Sequence, residues 1–332
     1  MASAGEWLEG ARLRTLPASV APVVAGIAAA WFATGVGWPA EVKTWLMALL
    51  CLVVSLGFQI GGNFANDYSD GIRGTDSDRV GPMRLVGSGA APPAAVKRAA
   101  GLAFAVACLA GLALIVLAFD LFNPGTWPLT SSVGVPLLVL AVVGLGCLLA
   151  AWFYTGGRRP YGYIGLGEVF VFVFFGLVPV IGTAYVLAPW VVRRFFDSYA
   201  VRAIAWWPVV LAGVVTGALS TAILVANNLR DLQSDKAAGK ITLPVRLGEE
   251  LTRWLYLGCV ILAALCLIVI ALLTYPYALL SLVGLALVVP SVTRVLTGAT
   301  GRDLITVLKW TGLAELAAMV LLGLGWGIGC YA

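Results

Sequence analysis

Two stretches of this chain carry asparagine and aspartate at spacings suited to holding a hard metal ion and a phosphate. The first reads Gly61-Gly-Asn-Phe-Ala-Asn-Asp-Tyr-Ser-Asp-Gly-Ile-Arg-Gly-Thr-Asp-Ser-Asp-Arg79, the second Asn227-Asn-Leu-Arg-Asp-Leu-Gln-Ser-Asp-Lys-Ala-Ala-Gly-Lys240. If each prolongs the helix before it, Asn63, Asn66, Asp67 and Asp70 share one face at steps of three and four residues. Asn227, Asp231 and Asp235, at i, i+4 and i+8, share another. Two carboxylate-lined helix ends in one cleft repel each other without a counterion. Oxygen-rich sites of this kind suit Mg²⁺, which takes one or two carboxylates together with substrate phosphates, and suit soft metals poorly. Arg73, Arg79, Arg84, Arg230, Lys236 and Lys240 lie beside the acids and can bind the phosphate oxygens that metal leaves over. A charged inner loop of a membrane protein is the competing reading of either cluster alone. Two such clusters on one side are the more specific signal.

Both clusters need a scaffold that brings them together, and the composition says which kind. Of 332 residues, 61% are hydrophobic and 11% charged, against about 25% charged in soluble domains. So few charges cannot coat a water-soluble surface, and so much apolar sequence excludes a disordered chain. Six cysteines are too few for a disulfide scaffold, and a net charge of +5 without a soluble basic module does not point to nucleic acid. This is an integral membrane protein. Apolar runs of the roughly 20 residues that cross hydrocarbon lie at 17–37, 45–63, 99–119, 133–153, 167–188, 207–226, 254–273, 277–296 and 310–328. They predict an all-α polytopic bundle of nine transmembrane helices, one membrane domain over 1–332, with a central cavity opening to the cytoplasmic side. Runs such as Val133–Ala151 lack the alternation of barrel strands. The run after Arg12 and Arg14 is longer than the apolar core of a signal peptide and is expected to be retained.

With the N-terminus in the cytoplasm, all of the 21 Lys and Arg residues except Lys43, Arg193, Arg194 and Arg202 fall inside, as the positive-inside rule asks. The C-terminus then lies outside a cell membrane. The motif stretches 64–98, 154–166 and 227–253 are expected as loops on the cytoplasmic face. Outer stretch 189–206, with Phe195, Phe196, Trp206 and Trp207 beside its charges, reads as an interfacial piece.

The chain has no histidine, so histidine acid–base chemistry is excluded and zinc or haem sites lack ligands. Cys51, Cys108, Cys147, Cys259, Cys266 and Cys330 form no CxxC pair and read as small core residues. Glu168 and Glu315 fall inside predicted spans, where a charge normally faces a bundle interior or cavity.

At these clusters the sequence resembles the intramembrane aromatic prenyltransferases, most closely the 1,4-dihydroxy-2-naphthoate branch of menaquinone synthesis. Asn66-Asp67-Tyr68-Ser69-Asp70, followed by Gly74-Thr75-Asp76, is similar to the family's first aspartate-rich motif, and Asn227-x3-Asp231-x3-Asp235 to its second. The stretch from Tyr154 to Glu168 is similar to the segment that leads into helix five in the naphthoate branch. The resemblance covers nearly the whole chain.

It implies transfer of a polyprenyl chain from polyprenyl diphosphate to 1,4-dihydroxy-2-naphthoate, with loss of CO₂ and diphosphate, giving demethylmenaquinone. Asp67, Asp70, Asp231 and Asp235 would hold a pair of Mg²⁺ ions, with Asn63, Asn66 and Asn227 as neutral ligands or orienters. Arg73, Arg84, Lys236 and Lys240 would contact the diphosphate. Phe64, Tyr68, Tyr154 and Phe172 offer aromatic faces to an allylic cation, and Glu168 or a motif aspartate would take the acceptor's phenolic proton. Arg158 and Arg159 read equally as contacts to the acceptor carboxylate or as ordinary inner-side anchors. Many relatives open the second motif with aspartate where this chain has Asn227, an amide that orients diphosphate or water rather than binding metal strongly. The stretch Asp76–Lys97, with Gly81-Pro82 and Pro92-Pro93, reads as a lid.

Other acceptors, such as 4-hydroxybenzoate, homogentisate or a pigment precursor, keep the same chemistry. A different class, a secondary transporter for a cation or phosphorylated lipid, predicts internal repeats and a charge near the midplane. Helices one to four against five to eight do suggest a pseudo-repeat, but both clusters then emerge on one side, which fits a one-sided site.

Overall fold

Inside hydrocarbon a backbone finds partners only within its own helix or a closed barrel, so each apolar run closes into a helix. A computed structural model of the chain describes residues 2–34, 41–74, 81, 83–119, 121, 134–196 and 205–332. In chain order the helices are α1 (Ala4–Gly10), α2 (Pro17–Thr34), α3 (Val42–Ile72), α4 (Pro93–Phe119), α5 (Gly134–Phe153), α6 (Gly167–Val171), α7 (Val178–Phe196), α8 (Trp206–Arg230), α9 (Leu232–Ala237), α10 (Leu243–Leu273), α11 (Leu280–Leu285), α12 (Val289–Leu296) and α13 (Asp303–Tyr331). No strand occurs among the described residues.

Eight helical segments among the described residues are long and apolar enough to cross a membrane. The ninth expected span, 133–153, corresponds to α5, whose apolar part Leu137–Phe153 is shorter than the others. Among the described residues eight of the nine expected spans are matched by such segments, and α5 stands at the place of the ninth. The expected 277–296 span is not one regular helix: α11 and α12 alternate with 3-10 turns at Pro276–Leu279 and Ala286–Val288. Of the interfacial piece expected at 189–206, residues 189–196 continue α7, and 197–204 lie outside the described residues.

Two of the expected loops contain helix: residues 64–72 and 93–98 of the first, and most of 227–253. α3 has 31 residues, about 46 Å at 1.5 Å per residue, against about 30 Å of hydrocarbon. It therefore carries Asn63 to Asp70 past the apolar layer as helix, and stops only near Gly74, at φ 69°. The second cluster likewise rides on the end of α8 and on α9, which closes at Gly239, at φ 73°.

Small residues set the closest approaches. α6 runs into α7 through a π-helical stretch, Phe172–Leu177, a distortion that recurs at functional sites. A Cβ on Gly176 would lie 2.2 Å from the Cα of Gly217 in α8, so two backbones touch here. Gly176→Ala is accordingly expected to cost about 1–3 kcal/mol, read as a lower thermal midpoint of the extracted protein. An unchanged midpoint would show that this contact relaxes freely.

Candidate functional site

The end of α3 presents its polar residues in two stripes rather than the single expected face. Gln59, Asn63, Asn66 and Asp70 turn toward an interior cavity of about 400 Å³. Phe64, Asp67 and Gly71, each one position on from a cavity residue, turn toward the turn at 84–88. Phe64 and Leu85 share a buried cluster, and a Cβ on Gly71 would lie 2.4 Å from Val86. Asp67 is buried there, its carboxylate accepting from Leu85 N at 2.7 Å and Val86 N at 3.0 Å. Both oxygens of this expected metal ligand are thus engaged by backbone. Residues three apart differ by about 60° around a helix, enough to send Asp67 and Asp70 to different neighbours.

The second cluster faces the same cavity through Asn227, Asn228, Asp231 and Asp235. Arg230 donates to both oxygens of Asp231 at 2.7 Å and to Asn227 Oδ1 at 2.8 Å. The two clusters meet at one ammonium. Lys240 Nζ lies 3.3 Å from Asp70 Oδ2 and 3.9 Å from Asp235 Oδ1. Arg84 reaches Asp70 at 3.6 Å, and Tyr163 donates its hydroxyl to Asp70 Oδ1 at 2.6 Å. Lys240 also sits 4.8 Å over the Tyr163 ring.

The stretch from Tyr154 to Leu166 roofs this mouth. Ile241 N donates to Tyr163 O at 2.9 Å, and Thr155 Oγ1 to Asn66 Oδ1 at 2.8 Å. Arg73 is a strut for it: its guanidinium donates to the carbonyls of Thr155 and Gly157 and does not line the cavity. From the mouth inward runs a ladder of rings, Tyr154 to Tyr161 at 5.5 Å, Tyr161 to Phe170 at 4.0 Å, and Phe170 to Phe174 at 5.8 Å. Burial, and after it the nearby Glu168 carboxylate, pushes the Tyr154 phenol above its ordinary range. Burial does the same to Tyr161. Both rings therefore present neutral hydroxyls.

Several expected site residues stand elsewhere. Phe64 packs against Trp7 of α1 at 5.7 Å, Tyr68 lies under Lys97 at 5.6 Å, and Phe172 sits against Gly217. Arg158, Arg159 and Lys236 are exposed, off the cavity lining. Glu168 is buried one bond behind the wall, accepting from Asn228 Nδ2 at 2.9 Å. Glu315 is fully buried in α13 with Ser220, a cavity residue, 3.2 Å away. The sequence reasoning missed Tyr163, Asn228, Gln59 and Arg12 as lining residues. Asn228 and Tyr163 were visible inside the quoted motifs. Arg12 had no signal, because its place depends on α1 folding back over the mouth.

Among the described residues no three acidic or thiol groups form a ready-made metal cage. Asp70, Asp231, Asp235, Asn66 and Asn227 nevertheless line one mouth. That set of oxygens fits an ion such as Mg²⁺, which shares its coordination with substrate phosphates.

Fold and mouth together define a polytopic membrane protein with a charged mouth above an apolar cavity. The chain belongs to the UbiA prenyltransferase family, whose model matches residues 19–313. A relative from Mycobacterium tuberculosis, 1,4-dihydroxy-2-naphthoate octaprenyltransferase, is 46% identical over 317 residues, covering 95% of this chain and 94% of that one. The apo structure of a UbiA homolog from Aeropyrum pernix K1 matches with a TM-score of 0.58 at 17% identity, over 92% of this chain and 96% of that one. A UbiA homolog from Archaeoglobus fulgidus bound to DMAPP and Mg²⁺ matches at 0.53 and 12% identity, over 96% and 99%. The structural matches speak for the fold, and family membership for a prenyltransferase rather than a transporter.

Proposed function

We propose that this chain transfers a polyprenyl group from polyprenyl diphosphate to 1,4-dihydroxy-2-naphthoate, releasing diphosphate and CO₂ and giving the demethylmenaquinone skeleton. The observation that carries the reading is the meeting of both aspartate motifs at Lys240, above one apolar cavity. The naphthoate assignment draws support from the Mycobacterium tuberculosis relative. Asp70, Asp231 and Asp235, with Asn66 and Asn227, are the residues that would hold Mg²⁺. When bound, Mg²⁺ neutralises charge building on the diphosphate leaving group. Arg84 and Lys240 bind its remaining oxygens. The allylic C–O bond breaks with its electron pair on oxygen. The ring carbon bearing the carboxylate then bonds to the cation, and CO₂ leaves its electron pair to the ring.

The ladder from Tyr154 to Phe174 shields the cation from water and offers it π faces. Glu168 is the proposed holder of the phenolic proton: Oε1 is fixed by Asn228, and Oε2 has no hydrogen-bond partner among the described residues. The mouth and N-terminus face the cytoplasm and the C-terminus lies outside, in the cell membrane.

Purified protein offered dihydroxynaphthoate, 4-hydroxybenzoate and homogentisate in competition should yield the decarboxylated prenyl naphthalenediol. Reaction of another acceptor, with none of dihydroxynaphthoate, would overturn the assignment. Because Tyr154 acts through its ring, Tyr154→Phe should keep kcat within a few-fold, whereas Tyr154→Leu should lower it about 3- to 30-fold. Equal losses in both variants would instead place the chemistry on the hydroxyl.

A further inference from the structure

A second cavity, of about 340 Å³, lies beside the mouth, at the lower end of the size range of small-ligand clefts, about 300–1,000 Å³. Its walls come from the α1 end of the chain, the end of α8 and the first turns of α13. Arg12, Arg14, Arg230 and Lys309 line it, with Glu9 as its single carboxylate. Arg230 is neutralised by Asp231. Arg14 and Lys309 are exposed and make no ion pair among the described residues, so the chamber keeps a surplus of positive charge. Arg12, Thr15, Asn227 and Leu308 line both cavities, so the two adjoin along a shared wall.

A second observation marks the same wall. Arg12 has φ 57° and ψ 55°, and among the described residues it is the one non-glycine with positive φ. A side chain in the left-handed region costs energy, and such strain persists where the surroundings impose it, often at ligand clamps. Here the αL residue stands between α1 and α2, and Leu8 and Glu9 of α1 line the chamber. Leu8 and Leu13, 54% and 49% exposed, form an apolar rim beside it.

We infer that this chamber is a second anion site, built for a phosphate group and separate from the carboxylate mouth. Cations without an acidic partner next to an apolar rim suit the headgroup of an anionic lipid, as basic pockets between membrane helices do. Its place beside the mouth equally suits free diphosphate leaving the reaction. Phosphate is the shared chemistry, and the source is separable by experiment.

The test compares the full-length wild type with the double variant Arg14→Gln/Lys309→Gln. One arm titrates phosphatidylglycerol against phosphatidylcholine by native mass spectrometry. The other titrates inorganic diphosphate by calorimetry in EDTA, so that a metal-dependent mouth does not contribute. The double variant is expected to bind about 10- to 30-fold more weakly in at least one arm, with the deficit shrinking as salt rises. Prenyl transfer at saturating substrate should stay within twofold. Loss in the lipid arm alone identifies a headgroup site, and loss in the diphosphate arm alone a product site. Equal affinities in both arms, or wild type that neither prefers phosphatidylglycerol nor binds diphosphate, would overturn the inference. Lys309→Glu, a single charge reversal on an exposed side chain, provides the same readout if the double variant extracts poorly.

Discussion

Asp70→Asn is expected to lower Mg²⁺-dependent prenyl transfer by about 10²–10³-fold, the usual scale for removing one preorganised electrostatic partner from a reaction centre. The substitution keeps the shape, and it keeps an oxygen for the Tyr163 hydroxyl, now 2.6 Å away. It removes the charge on which Lys240 and Arg84 converge at 3.3 and 3.6 Å. Those cations would then face each other without their common carboxylate, and the mouth would lose the only described first-motif carboxylate on its wall. Half-activation by Mg²⁺ should move to higher concentration. The check is a Mg²⁺ titration of turnover, with the thermal midpoint of the extracted variant measured alongside. Near-normal turnover with an unmoved Mg²⁺ curve would remove Asp70 from the centre of the site.

Asp67→Ala should be nearly as damaging for a different reason. The change strands the buried Leu85 amide, at about 1–3 kcal/mol, and the part-buried Val86 amide. It also releases the turn that aims Arg84 at Asp70. Losing a hydrogen bond from a charged donor, about 1.5–3 kcal/mol, corresponds to about 10- to 100-fold in kcat/KM. The loss should appear in KM for the polyprenyl diphosphate, with the Mg²⁺ half-activation point unchanged. Asp67→Asn, which keeps one acceptor oxygen, should recover part of it. If Asp67→Ala instead shifts the Mg²⁺ curve as Asp70→Asn does, Asp67 is a metal ligand, as the motif resemblance implies.

The contrast between these two aspartates shows where sequence reasoning reaches its limit. Apolar run lengths locate the spans, and the Asn and Asp spacing marks the ends of α3 and α8 as the chemical ones. Lys240 and Arg84 were legible because cations in so apolar a chain need a reason to be there. Spacing along one helix, however, ranks residues by angle without saying what stands at each angle. Asp67 meets a turn nearly 20 residues downstream, and Phe64 meets Trp7 from far upstream. Neither neighbour belongs to the helix whose periodicity was being read. The π-helical stretch was equally hidden, since Phe172–Leu177 is as good an α-helix former as the runs around it. The stretch contains Gly176, whose close contact with Gly217 of α8 is a tertiary event.

The junction at Lys240 also has a meaning in time. Asp70 is translated early, while Asp235, Lys240 and the Ile241 amide that secures Tyr163 come from the second half of the chain. During synthesis the first helices enter the membrane carrying half a binding site, in which Asp70 has Arg84 beside it but not yet Lys240. Only when α8 has threaded in and the ribosome has passed Lys240 do both halves close on one ammonium. A chain that ends before Lys240 therefore lacks the cation that joins the first motif to the second.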